Sequence, residues 1–122
     1  MVTAVKQGVF TKTTSGAPAS QSVSWVSPSF TPKLVILRTE EKSSEGSNQT
    51  FGPGFCMGAS DGTRERCVVY VAEDAQGTTD TSREISDTKM MKIYNDEGTL
   101  QAECDFTSFD TDGFTINWTN ND

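Results

Sequence analysis

The sequence predicts an all-β domain: an antiparallel β-sandwich of about eight short strands that spans residues 1–122 as a single unit. Three observations lead to this fold class. Residues 109–118 place an Asp-Gly turn before a strict alternation in which Phe114, Ile116 and Trp118 face one side. Ten glycines and four prolines accompany a hydrophobic fraction of 34%, which suits short strands joined by turns. No segment keeps a helical period long enough to predict a helix.

The first half of the chain contains three predicted strands. Residues 2–12, with an irregularity at Gly8, form the first, and residues 21–26, with Val23 and Trp25 on one face, form the second. Residues 33–39 contain the continuous apolar run Leu-Val-Ile-Leu, which predicts a central strand covered on both faces. Residues 40–50 are polar and predict an exposed loop.

The second half contains two predicted hairpins and a final strand. Residues 54–60 and 64–73 pair around Asp61-Gly62, and residues 89–94 and 99–109 pair around the turn at 95–98. Between the hairpins, residues 74–87 predict a polar loop. The last strand covers residues 114–118. The strand at 99–109 has a clear inward set, which is Leu100, Ala102, Cys104 and Phe106.

Trp25 and Trp118 are the predicted large anchors of the core. Both stand at alternating strand positions, where burial is favoured over the alternative of a sugar-stacking platform.

The three cysteines predict buried, reduced thiols. Cys56, Cys67 and Cys104 show no Cys-x-x-Cys spacing, and the chain contains no histidine, so the common zinc-site patterns are missing. If Asp61-Gly62 were a two-residue turn, position 56 would lie opposite position 67. Whether Cys56 and Cys67 form a disulfide stays open at this stage, because neighbouring strands allow one only if the side chains converge.

Charge and hydropathy limit the kinds of partner that the chain is expected to bind. The formal net charge is -7, from 17 acidic and 10 basic residues, which disfavours nucleic acid as a partner because phosphate binding needs a basic field. The longest apolar run, residues 67–72, is far shorter than the roughly 20 residues of a membrane span. The polar N-terminus lacks the apolar core of a secretion signal. We expect a protein made in a cytosol, without a membrane partner.

Catalysis is disfavoured by the residues present. Without histidine there is no Ser-His-Asp or Cys-His arrangement. The strongest enzyme hypothesis is a glycosidase that uses two of the carboxylates Asp105, Asp110 and Asp112. The simpler interpretation places Asp105 on an outward strand face and makes Asp110 and Asp112 turn residues that cap the local backbone.

The spacing Asp110-x-Asp112-Gly113 partly matches the ligand pattern of a calcium-binding loop. Aligning Gly113 with the glycine of an EF-hand puts Ser108 in the first ligand position and Thr119 where a bidentate glutamate is required. The pattern therefore does not fit. We expect no catalytic residue, no metal ligand and no cofactor.

Three segments together resemble a known family: residues 7–11 (QGVFT), 30–37 (FTPKLVIL) and 109–118 (FDTDGFTINW), with YVAEDA at 70–75 between them. They resemble small β-sandwich virion proteins of tailed bacteriophages and prophages. The arrangement is also similar to the H-type lectin sandwich, which implies a jelly-roll or lectin-like topology and trimeric assembly. Relatives of this pattern continue after the tryptophan into another apolar strand, whereas this chain ends with the polar residues 119–122. The missing strand predicts an open sheet edge and hence a homo-oligomer.

The resemblance implies a non-enzymatic structural role. The leading hypothesis is a capsid decoration or cement protein, a homotrimer that binds phage coat protein or other virion proteins and is made in the host bacterial cytoplasm. The alternative is a tail or baseplate module that binds a glycan through residues 40–50 and 73–88, although neither segment contains an aromatic residue on which a sugar could stack. The carboxylate-dependent glycosidase is the third hypothesis.

Overall fold

The computed structural model describes residues 4–27, 29–40, 54–73, 77–78, 80–95 and 97–121, without the side chains of Glu40 and Glu73. The described residues form strands and no helix, so the all-β prediction is confirmed. The predicted loop at 40–50 lies outside the described residues except for Glu40. The strands are β1 (Ala19–Ser24), β2 (Val35–Glu40), β3 (Gly54–Ser60), β4 (Glu65–Glu73), β5 (Asp80–Ser86), β6 (Met91–Tyr94), β7 (Leu100–Asp110) and β8 (Gly113–Asn121).

Two antiparallel four-stranded sheets make up the fold. One has the order β1-β8-β7-β6 and the other β2-β3-β4-β5, an arrangement consistent with a β-sandwich. Both sheets contribute to one core. Its most deeply buried side chains are Cys56, Met90, Ala102, Cys104, Ile116 and Trp118.

Among the described residues there is no helix with the length and apolar character needed to cross a bilayer.

The terminal hairpin follows the sequence closely. Asp110 pairs with Gly113, and Phe114, Ile116 and Trp118 are buried, as the alternation predicts. Gly113 is required here because a Cβ atom would lie 2.0 Å from the carbonyl oxygen of Val23. The indole N–H of Trp118 donates to Oε1 of Gln21 at 2.8 Å, so the buried ring keeps a hydrogen-bond partner.

The predicted open edge after Trp118 is wrong. Strand β8 continues to Asn121 and lies between β1 and β7. Its last residues still pair with β7, since Asn120 is opposite Glu103 and Asn121 opposite Ala102. Strand pairing uses backbone groups, so a polar stretch extends a strand that its neighbour already holds. Strand β1, from the first part of the chain, occupies the position beside β8 for which the sequence predicted no strand.

Two other predictions in the first half are also wrong. Residues 4–12 form no strand; the segment instead reaches β8 through the ring of Phe10, which meets Phe114 edge-on at 6.2 Å. Strand β2 is an edge strand rather than a central one. Only Val35 and Leu37 of its apolar run are buried. The apolar run in the sequence is unbroken because both faces of β2 are apolar, although the core covers only one of them.

Trp25 is a less complete anchor than predicted. It lies just after β1 and is half-buried, and its ring packs against Phe30 with centroids 5.1 Å apart. Trp118 alone of the two tryptophans is a fully buried anchor.

The β3–β4 hairpin exists, but its register differs from the two-residue turn. Residues 61–64 connect the strands, and Oδ1 of Asp61 accepts the backbone N–H groups of Thr63 at 2.9 Å and Arg64 at 2.8 Å. The longer connection places Gly58 opposite Cys67 and Cys56 opposite Val69. The predicted Cys56–Cys67 cross-strand pair is therefore wrong by two residues. All three cysteines are free.

Strand β5 lies within the predicted polar loop at 74–87. It pairs with β4 along its whole length, from Glu73 opposite Asp80 to Cys67 opposite Ser86. Its sequence, DTSREIS, gives no apolar face because β5 is an edge strand whose inner side meets a polar network rather than the core. The loop prediction failed for this physical reason.

Candidate protein-binding face

The outward side of the β2–β5 sheet exposes large apolar side chains. Side chains alternate along β2, which buries Val35 and Leu37 but leaves Ile36 55% exposed. Ile85 on the opposite edge strand is 68% exposed. We call this surface the apolar–arginine face. It comprises Ile36, Arg38, Phe55, Met57, Arg66, Val68, Tyr70, Arg83 and Ile85.

Strand register makes this face continuous. Residues directly opposite each other on neighbouring strands share a face and lie in contact distance. Met57 and Val68 occupy the two central strands and are 43% and 38% exposed. Contiguous exposed apolar patches are typical of interaction sites in soluble proteins. Two rows cross the sheet in the strand register, Arg38–Met57–Val68–Ile85 and Glu40–Phe55–Tyr70–Arg83.

Two arginines of this face, Arg66 and Arg83, differ from Lys89 and Lys92 in their surroundings. Neither Arg66 nor Arg83 makes a hydrogen bond or ion pair with any residue in the described parts of the chain, and both are exposed. By contrast, Lys89 lies 2.7 Å from Asp105 and Lys92 is held by Glu84. Two guanidinium groups are therefore free to bind carboxylates of another molecule.

The outer side of the other sheet is polar. Ser20, Ser22 and Ser24 of β1 are exposed, and Oγ of Ser22 lies 2.9 Å from Oγ1 of Thr115 on β8. Short hydroxyl side chains on this side offer little apolar surface to a partner. The protein is thus two-sided, with one face suited to binding.

An ionic network joins the two sheets at the side where β5 and β6 meet. Lys92 on β6 binds Glu84 on β5 and lies 3.8 Å from Glu103 on β7. The phenol of Tyr94 donates to Glu84. These hydrogen bonds hold the pKa of Glu84 below its ordinary value, whereas burial and the hydrogen bond to Glu84 raise the pKa of Tyr94. Each carboxylate of the network lies within 3.8 Å of a lysine ammonium group, so we interpret the network as structural.

We expect the Glu84→Gln substitution to destabilise the protein by less than about 1 kcal/mol at neutral pH, as for other partly exposed ion pairs. The folded-state pKa of Glu84 lies below the ordinary 4.5. The stabilisation is therefore present above that pH and is lost as the pH falls through the lowered value. Urea unfolding at about pH 7 and about pH 3 measures the effect. A difference between wild type and variant that is equal at both pH values would contradict it.

Two of the three carboxylates of the glycosidase hypothesis, those of Asp105 and Asp110, are already engaged in separate interactions. Asp105 forms the ion pair with Lys89, and Asp110 accepts the hydroxyls of Ser108 at 2.9 Å and Thr115 at 2.7 Å. Asp112 lies in the turn, where its backbone oxygen accepts the N–H of Trp25 at 3.0 Å. The carboxylate of Asp110 therefore accepts hydrogen bonds from hydroxyl groups and, among the described residues, does not cap the local backbone as predicted. Within the described residues, no cluster of His, Cys, Asp and Glu could hold a metal ion.

Cys56 lines a small, partly open cavity. The cavity has a volume of about 10 Å³ and is lined by Cys56, Lys92 and Tyr94 among others, which leaves space for about one water. The N–H of Lys92 donates to Sγ of Cys56 at 3.5 Å. A hydrogen bond between the thiols lowers the pKa of Cys56 and raises that of Cys67. Burial raises the pKa of Cys104.

All three thiols are expected to react with Ellman's reagent at least about tenfold more slowly in the folded protein than after unfolding, because they are buried. Unfolding in guanidinium without a reductant should then release three titratable thiols per chain. A deficit of two thiols in that titration would show a disulfide and contradict the free state of Cys56 and Cys67.

Comparison of the chain with protein families, with curated proteins and with solved structures found no match. The sequence interpretation did not identify the apolar–arginine face. The signal was present, since residues 36 and 38 and residues 66, 68 and 70 alternate with buried positions. It was hidden because apolar residues on both sides of a strand are also typical of a strand covered on both faces.

Proposed function

We propose that this protein is a structural protein of a bacteriophage particle, a decoration or cement protein that binds the coat lattice. The apolar–arginine face is the observation that carries the proposal. An exposed sheet face of Ile, Met, Val, Tyr and Arg side chains supports a binding role. The phage-like segments at 7–11, 30–37 and 109–118 support the virion as the place of action.

The proposed homo-oligomer loses one of its arguments. An open edge after Trp118 would invite strand addition from a neighbouring subunit, but β8 is paired on both sides. Trimeric assembly now rests on the lectin-like resemblance alone. Size-exclusion chromatography with light scattering measures the oligomeric state directly. A trimer supports the proposal in full, and a monomer removes the trimer but leaves binding to the lattice.

Purified particles of the phage that encodes the chain test the function. Mass spectrometry of the particles should detect the chain at a fixed ratio to the coat protein, and antibody-gold labelling should mark the head. Purified chain should also sediment with heads prepared without it. Absence from particles, together with no binding to such heads, would overturn the proposed function.

A glycan-binding tail module is the second candidate function. The observation in its favour is Tyr70, an aromatic side chain that is 44% exposed beside Arg83, because sugars stack on exposed aromatic rings. A glycan array with the wild type and the Tyr70→Ala variant tests it. Binding that depends on Tyr70, with gold labelling on the tail, would favour this function over decoration of the head.

A further inference from the structure

We propose that the apolar–arginine face binds a protein surface with an apolar centre and a rim of carboxylates, which on the proposed function is provided by the coat protein. The inference rests on that function but adds the binding face and the chemistry of its partner. It follows from the arrangement of the face, its composition and its charge.

Apolar side chains cross the face from Ile36 on β2 to Ile85 on β5, while Arg66 lies near the start of β4 and Arg83 on the edge strand β5. Met57 and Val68 stand on the central strands β3 and β4. Arg38 lies on the other edge strand, β2. An apolar centre with a polar rim is the usual anatomy of a protein–protein interface. The matching surface therefore needs apolar groups opposite Met57 and carboxylates opposite Arg66 and Arg83.

The composition of the face favours a protein as the partner. Three of the four arginines in the chain lie on it, whereas Lys6, Lys12, Lys33, Lys89 and Lys92 lie elsewhere. Interfaces are enriched in Arg, Tyr, Phe and Met and depleted in Lys. A guanidinium also binds a carboxylate in a two-pronged geometry that an ammonium group cannot adopt. The segregation of arginine from lysine is thus a feature of specific recognition rather than of a general basic surface.

The charge of the chain argues against other occupants. Two copies related by a two-fold axis, face to face, would bring the arginine sets together, which costs free energy through like-charge repulsion. A net charge of -7 repels anionic membranes and nucleic acid. A protein surface can instead confine its carboxylates to the points opposite Arg66 and Arg83, where the attraction is local, and stay neutral elsewhere. Its apolar centre then covers the exposed Ile, Met and Val side chains.

Charge-reversal variants test the face. Arg66→Glu/Arg83→Glu changes two exposed side chains that make no bond to the rest of the described structure. Lys6→Glu/Lys33→Glu is the matched control, since it makes the same change in net charge at exposed positions off the face. Each protein is mixed with phage heads prepared without the chain and sedimented, and circular dichroism checks the fold. The arginine variant should bind at least about tenfold more weakly, and the lysine variant within about twofold of wild type.

The outcomes distinguish a failure of the proposed binding face from a failure of the proposed function. If wild type binds heads and the arginine variant binds equally well, the face is not the contact surface and the inference fails while the function stands. If wild type does not bind heads, the function fails and the inference falls with it. Wild type that is oligomeric, with an arginine variant that is monomeric, would show that a second copy covers the face. Sedimentation of wild type with phosphatidylserine vesicles would show a lipid surface instead, and both results overturn the inference.

Discussion

The Gly58→Ala variant is expected to lose about 3 kcal/mol or more of its free energy of unfolding, or to fail to fold. A Cβ atom at Gly58 would lie 1.7 Å from the carbonyl oxygen of Met90 and 3.0 Å from Cβ of Cys67. The Met90 backbone has little freedom to move, since its N–H donates to the carbonyl of Cys104 at 2.9 Å. The added methyl group would therefore push apart the two sheets where β3 meets the start of β6. Urea unfolding measures the loss.

Gly16→Ala is the matched control for this change. It adds the same methyl group at a glycine with no atom within 4 Å of the new Cβ, so the unfolding free energy should change by no more than about 0.5 kcal/mol. A Gly58→Ala protein that unfolds within about 1 kcal/mol of wild type would show that the sheets are not in close contact at this point.

The Trp118→Ala variant is expected to lose about 3–5 kcal/mol of unfolding free energy. Trp118 is only 1% exposed, and its removal leaves a large cavity in the hydrophobic core. It also leaves Oε1 of Gln21 without its indole donor. Because Gln21 donates to the carbonyl oxygen of Thr11 at 2.6 Å, the segment before β1 should loosen as well. Urea unfolding gives the energy, and hydrogen exchange at residues 11–15 reports the loosening.

Two further variants keep this prediction testable if Trp118→Ala does not fold. Trp118→Phe keeps a large apolar ring but removes the N–H donor, so it should destabilise the protein by about 1–3 kcal/mol. Val26→Ala removes a side chain that is fully exposed and should have almost no effect. An effect of Trp118→Phe as small as that of Val26→Ala would contradict the role of Trp118 as the core anchor.

The sequence predicts the second half of the fold better than the first. The β7–β8 hairpin was predictable because alternation, turn residues and burial all agree between Ala102 and Trp118. Strand β5 was not, because an edge strand whose inner side meets Lys92 needs no apolar period. The place of β8 between β1 and β7 depends on pairing between the two ends of the chain, which local patterns do not encode.

The candidate site was less predictable than the fold. Carboxylates such as Asp110 attract notice in a sequence, yet the structure uses Asp110 to bind two hydroxyl groups. The apolar–arginine face becomes visible only when four strands are placed in register, which brings together residues as distant as Arg38 and Ile85. A binding face made of single residues from several strands has no local sequence motif.

The most direct test of the account is a cryo-electron microscopy map of the phage particle that we propose to contain this protein. The account predicts density for a β-sandwich on the outside of the head, with the β2–β5 sheet turned towards the coat protein and acidic coat residues near Arg66 and Arg83. A sandwich bound through the polar outer side of β1 and β8, or heads without this density, would contradict it.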